Sequence, residues 1–285
     1  MNPFKKSCLI LVTVIVYGIT PSVHAADAGT DANAGWYTRW LDQVTAIQSE
    51  QPRWMTPIFT TTPRLEQEFR YDILLENASN GNELDNYGNG KGLEIIPFDP
   101  VELIIGVPPY LNKNTTGAVN GWGDLPTLIK YRILSANEEK GNYILTAFLG
   151  ASFPTGTKPI GGVAVILTPT IAAGMGSGDF DLQTTVGIAL PLADEASIGQ
   201  TLSWNTALQY HFVPMFWPQL ELNMSHFTDG EHNGLTQVFV SPGVVIGRFG
   251  IHERTSFSVG LGYQVAATTF HTYNNAATLT MRLPF

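Results

Sequence analysis

Two groups of residues in this chain have side chains able to do chemistry. The first is His211, His226, His232, His252 and His271, with Ser225 beside His226. A serine nucleophile needs a base on its own side, and in an extended strand only residues two apart share a face. Ser225 and His226 are adjacent, so they point to opposite faces, and no His-x-Ser pair occurs after residue 25. The five histidines are scattered without the spacing of metal ligands. A lipid-modifying membrane enzyme is therefore the weakest reading, and no enzyme activity, metal or cofactor is expected.

The second group is charged and sits on alternate positions. In Leu65 to Glu76 the odd residues are nearly all apolar, while Glu66, Glu68, Arg70 and Asp72 occupy the other face. The same parity sets Glu94, Glu102, Lys130, Arg132, Asp181, Glu221 and Arg282 apart from apolar neighbours. Acids outnumber bases in this set, and a polar wall with a mild preference for cations is the chemistry it offers. An ordinary sandwich would turn such a face to bulk water, whereas a closed membrane barrel would turn it into a wet lumen. On the lipid side of a barrel an Arg or Lys at mid-depth costs about 2–4 kcal/mol, so inward is the cheaper placement.

The elements that would hold these charges are long strands. From Phe285 backwards, Leu283, Met281, Leu279 and Ala277 alternate with Arg282, Thr280 and Thr278. Similar alternation runs through 179–191, 199–212, 216–227 and 251–268. Runs of about ten residues match what a tilted membrane strand needs, where soluble strands stop near five or six. Twelve strands are expected, near 65–76, 91–98, 101–108, 123–134, 142–152, 163–173, 179–191, 199–212, 216–227, 235–247, 251–268 and 271–285, with ten or fourteen as alternatives. The fold class is all-β, an antiparallel transmembrane barrel preceded by a short helical segment. Tight turns are expected at Ser135–Gly141, Ala193–Ser197 and Arg248–Gly250, and long outer loops at 77–92, 111–123 and 153–162. Tyr71, Tyr131, Tyr210, Phe212, Tyr263 and Tyr273 fall toward strand ends, as an interfacial girdle would.

Targeting and composition agree with this class. Lys5 and Lys6 precede a short apolar run from Cys8 to Ile19, and Val23-His24-Ala25 offers small residues for cleavage after Ala25. This reads as a secretory signal, since a bilayer-spanning helix needs about 20 apolar residues. Cys8 is the only cysteine and would leave with it. Loss of the two lysines leaves 13 basic against 24 acidic side chains, a charge of −11, which argues against a nucleic-acid partner. Only 14% of residues are charged and 44% are hydrophobic, with 28 glycines, a balance that suits apolar residues spread over alternating strands.

Between the signal and the barrel, residues 26–64 read as an amphipathic helix and a proline-rich linker. Trp36, Trp40, Val44 and Ile47 recur at helical spacing, with Asp31 and Asn33 as candidate caps. Pro52, Pro57 and Pro63 then punctuate the chain. The helix could lie in the periplasm, at the interface or in the barrel mouth.

Three short motifs carry a family resemblance: GWGDLPTLIKYRI from Gly121, FPTGT from Phe153 and GSGDFDLQ from Gly176. Together they resemble the outer-membrane transporter-like family of the meta-pathway of phenol degradation, over most of 65–285. The resemblance implies a barrel taking up small, often aromatic or hydrophobic compounds. Its residues Gly123, Asp124, Pro154, Gly156, Gly178 and Asp179 suit turns, because glycine permits the bend and aspartate binds local N–H groups. The expected function is a passive outer-membrane channel, with a structural or adhesive barrel of filled lumen as the alternative. The expected partners are outer-membrane lipid, a small solute, and the assembly machinery that reads a terminal strand ending in Phe285.

Overall fold

The computed structural model describes residues 35–78, 81–89, 91–115 and 117–285. The expected signal peptide with Cys8, and the caps Asp31 and Asn33, lie outside the described residues. Trp40–Phe285 forms one compact unit, and Arg39 ends a separate one.

The helical periodicity produces α1, Trp36–Ser49, with Val44 and Ile47 buried. Fifteen strands follow: β1 (Glu68–Asn77), β2 (Glu83–Gly88), β3 (Gly92–Phe98), β4 (Val101–Gly106), β5 (Tyr110–Lys113), β6 (Gly121–Trp122), β7 (Leu125–Ala136), β8 (Tyr143–Phe153), β9 (Ile166–Ser177), β10 (Phe180–Pro191), β11 (Thr201–Tyr210), β12 (Phe216–Phe227), β13 (Thr236–His252), β14 (Thr255–Ala266) and β15 (Asn275–Pro284). A short helix α2, Glu195–Ile198, sits between β10 and β11.

These fifteen strands build twelve staves, because three staves are each made of two strands. β1 pairs with β3 at Glu68↔Glu94 and further along with β2 at Asp72↔Gly88. In the same way β5 prolongs β4 against β2, and β6 prolongs β7 against β5. The breaks lie side by side, at 89–91, 107–109 and 123–124. Pro108 and Pro109 have no N–H to give the ladder there. Single bonds bridge the gap, Val107 N to Lys91 O at 2.7 Å and Gly123 N to Pro109 O at 2.6 Å. Neighbouring staves are antiparallel throughout, and β15 pairs with β1 from Glu68↔Pro284 to Asn77↔Asn275. First and last staves are hydrogen-bonded neighbours, so the barrel is closed and has no free edge.

Burial alternates along the staves, as in β4 and β10. Leu103, Ile105, Ile129, Ile171, Val186, Leu222 and Leu261 are exposed on the outside. At the end that holds Glu68 and Phe285 (the termini end), Phe180, Tyr210, Phe212 and Phe216 form a chain of ring contacts. Tyr273 departs from the girdle reading: it turns inward, stacked on Phe239, with its hydroxyl on Gln264 at 2.5 Å.

Several boundaries differ from those expected. Much of 77–92 and parts of 111–123 are strand, because the broken staves extend into them. Ala193–Ser197 belongs to the longer connections at the opposite end from the termini, where α2 shapes it. Arg248–Gly250 is interior to β13; the turn comes at Glu253–Arg254, past two bulges. At the termini end the connections are short, as at 99–100, 178–179 and 253–254. Leu65 and Gln67 do not share the lipid face, since β1 begins only at Glu68. Leu65 is packed with Val44, Ile47 and Ile96, and Gln67 accepts from Ile96 N at 2.8 Å.

Candidate functional site: the barrel interior

The interior is organised by the proline-punctuated segment after α1. Residues 50–67 enter the lumen from the termini end, turn near Thr60, and return to start β1. The Trp40–Ser49 part of α1 crosses the mouth beneath them, with Trp40 Nε1 donating to Ile96 O at 2.8 Å and Arg254 pairing with Asp42 on the far side. Three prolines in this stretch withdraw three N–H groups and favour extended backbone. The segment therefore forms no ladder of its own, and the wall must satisfy its polar backbone.

The wall does so from several directions. Glu221 on β12 accepts three consecutive amides, Ile58 N and Phe59 N at 2.9 Å and Thr60 N at 2.6 Å. Arg282 on β15 donates to Thr56 O and to Pro57 O, the latter at 2.8 Å. Arg70 on β1 donates to Pro57 O at 3.2 Å and to Ile58 O, while its other side holds Asp72 at 2.7 Å. Further round the wall Lys130 donates to Arg64 O at 3.0 Å, Thr146 to Pro63 O at 2.6 Å, and Gln183 to Met55 O at 3.0 Å. These six staves, with Glu102 on β4 and Arg248 on β13, hold the segment as an internal plug. The wall is also carved to admit it. A methyl group on Gly243 would lie 2.7 Å from Ile58 Cδ1, and one on Gly174 would lie 2.5 Å from the Trp54 ring.

All eleven charged residues singled out by parity are buried. Glu66, Arg70, Asp72, Glu102 and Lys130 meet ionic partners. Lys130 pairs with Glu102 at 2.9 Å, and Glu102 accepts Glu66 N at 2.5 Å. Glu66 pairs with Arg64 at 3.0 Å, and Arg70 with Asp72. Glu68 and Glu94 face each other in register across β1 and β3. Arg132 sits at the rim instead, on Asp99 at 2.6 Å and Ile47 O at 2.8 Å. Asp181 stands apart, accepting from Gln183 at 3.0 Å. The acidic surplus expected in the lumen is offset, because Arg64 arrives with the plug, Lys91 donates to Thr61 at 3.2 Å from a stave break, and Arg248 donates to Trp54 O at 2.8 Å.

Two cavities flank the plug. One of about 310 Å³ lies toward the termini, lined by Gln48, Arg64, Glu68, Arg248 and Arg282 among others. The second, about 240 Å³, lies toward the long loops above Thr61 and carries no charged side chain. No group of three or more His, Cys, Asp or Glu able to hold a metal occurs among the described residues.

The family-motif residues lie outside this lining. Asp124, at the break between β6 and β7, accepts from Gly156 N at 3.0 Å and Gly162 N at 2.9 Å, clasping the connection after β8. Gly156 passes so close to Gly161 that a methyl would lie 2.6 Å from its Cα; Pro154 opens that connection. Gly178 (φ +59°) and Asp179 make the two-residue turn between β9 and β10.

Sequence reasoning missed the plug residues themselves, with Gln51, Gln183, Lys91, Arg64 and Arg248. The available signal was Trp54, Met55, Ile58 and Phe59, apolar residues with no periodicity and no strand to join. Glycines at alternate positions of β14, Gly260 and Gly262, were a second signal, since both back onto the plug.

A closed barrel of twelve antiparallel staves, apolar outside and polar within, is a fold of the outer-membrane β-barrel class. Among solved structures it is similar to the COG4313 outer membrane channel from Pseudomonas putida F1, with a TM-score of 0.54 and 15% identity over 76% of this chain and 94% of that one. It is also similar to the KdgM porin, at a TM-score of 0.44 and 9% identity over 76% of this chain and 99% of the other. No protein-family profile and no curated protein sequence matches the chain.

Proposed function

We propose that this protein is a passive channel of the outer membrane for small solutes, narrowed by its own internal plug. The single observation that carries this reading is the pair of cavities on either side of a plug that is held by hydrogen bonds to the wall. A barrel filled only for stability has no need of voids on both sides of its filling, and eight-stranded barrels fill completely where larger ones leave water. Similarity to a barrel described as an outer membrane channel supports the reading. The motifs at Gly121, Phe153 and Gly176 support small hydrophobic or aromatic solutes and membership of the phenol meta-pathway family. In this mechanism the concentration gradient drives movement, the loops at the outer end admit solute, and interior charges set which solutes pass. The short connections at the end that holds Glu68 and Phe285 support a periplasmic location for that end.

A second reading, a structural barrel with an occluded lumen, is favoured by the same plug. Planar-bilayer recordings and liposome flux on the purified full chain separate the two. Steps of conductance and solute entry are expected; a silent bilayer with impermeable liposomes would leave only the structural barrel.

A further inference from the structure

We infer that the chamber above the plug is a solute-binding site for an uncharged, hydroxyl-bearing molecule about the size of a single ring. The inference rests on the channel reading and adds the substrate chemistry to it. The chamber spans an arc of wall from β7 to β11, floored by Thr61 of the plug. At one end of the arc Leu128 and the Phe148 ring present apolar surface. At the other, Thr168, Thr170, Thr185 and Ser203 present hydroxyls. The gradient follows the strand register, because Phe148 stands opposite Thr170, and Gly187 stands between Thr170 and Ser203. Gly187 leaves room there: a methyl on it would lie 2.2 Å from Thr170 Oγ1.

Size and charge narrow the ligand. A 150 Å³ apolar cavity holds benzene, so about 240 Å³ suits one ring with its substituents. No charged side chain lines the chamber; below it Lys130 is paired with Glu102 and the plug, and Lys91 rests on the Thr61 hydroxyl. A charged solute entering the chamber would lose water without meeting a charged side chain in its lining. A neutral ring can lay its apolar face on Phe148 and exchange water for hydroxyls on the other side, which is how mixed pockets fix orientation. Both a monosaccharide and an aryl alcohol have this chemistry.

Titration calorimetry on the full chain in detergent, against matched empty micelles, tests the site without requiring transport. The probes are xylose and benzyl alcohol, with glucuronate and benzoate as charged counterparts. At least one neutral probe is expected to bind, each charged counterpart more weakly than its neutral partner. Whichever neutral probe binds tighter identifies carbohydrate or aryl alcohol as the source. Ser203→Leu, which fills the chamber from a half-buried position, should abolish binding. The paired change Thr168→Val with Ser203→Ala, which removes hydroxyls at little volume cost, should weaken it about tenfold. A gel shift on heating checks that each variant is a folded barrel. Equal binding of charged and neutral probes, no binding of either neutral probe, or full binding by folded Ser203→Leu would overturn the site. Conductance would still stand or fall separately.

Discussion

The two arcs of the barrel wall differ in both continuity and chemistry. From β15 through β1, β3 and β4 to β7 the wall carries Arg282, Glu68, Arg70, Asp72, Glu94, Glu102, Lys130 and Arg132, and three of its staves are broken. From β8 to β11 the staves run unbroken and the inner face includes Thr146, Phe148, Thr168, Thr170, Gln183, Thr185 and Ser203, with Asp181 as its lone acid. Charge in this lumen therefore serves first to anchor. Arg282, Arg70, Asp72, Glu102 and Lys130 on the first arc are spent on the plug or on a neighbour that holds it, and the cavity without charged lining lies against the neutral arc.

The contrast between the arcs is tested most severely at Lys130. Lys130→Met leaves Glu102 buried without its partner, and stranding a buried charge costs about 3–5 kcal/mol. Urea unfolding from lipid vesicles should show that loss, with Glu102→Leu added to Lys130→Met recovering much of it. Next comes the outside of the same arc. Leu103→Arg places a charge on the lipid face and should cost about 2–4 kcal/mol by the same measurement, whereas Ser203→Arg on the neutral inner face should cost less and alter ion selectivity. Glu221→Ala removes the acceptor of three amides and should cost about 1.5–3 kcal/mol, the range for a bond to a charged group. Its clearer signature is flickering single-channel current as the plug tip loosens. Smallest is Arg254→Ala. Its pair with Asp42 is nearly half exposed on both sides, so unfolding should shift by less than about 1 kcal/mol.

The barrel itself was legible because period-two alternation is a strong local signal. Residues such as Leu283/Arg282 and Phe69/Arg70 declare their faces without reference to the rest of the molecule. Broken staves were harder to see. Pro108 and Pro109 read as a strand's end, yet bonds from Val107 and Gly123 carry the wall across them. The plug was not legible at all, since it has no periodicity of its own and its partners lie up to 226 residues away, as for Thr56 and Arg282. Parity could turn Glu221 inward but could not reveal that three backbone amides occupy it. The neutral chamber escaped notice for a related reason: threonines and serines on a strand give no sign of which ones border empty space.

Single-channel conductance of the full chain, compared with a chain lacking residues 36–63 and shown to be a folded barrel, bears most directly on the plug's role. If the passage is throttled from within, the shortened protein should conduct severalfold more and lose discrimination between neutral and charged solutes. Identical conductance in the two proteins would mean that solute never meets residues 50–67, and a channel narrowed by its own plug would be ruled out.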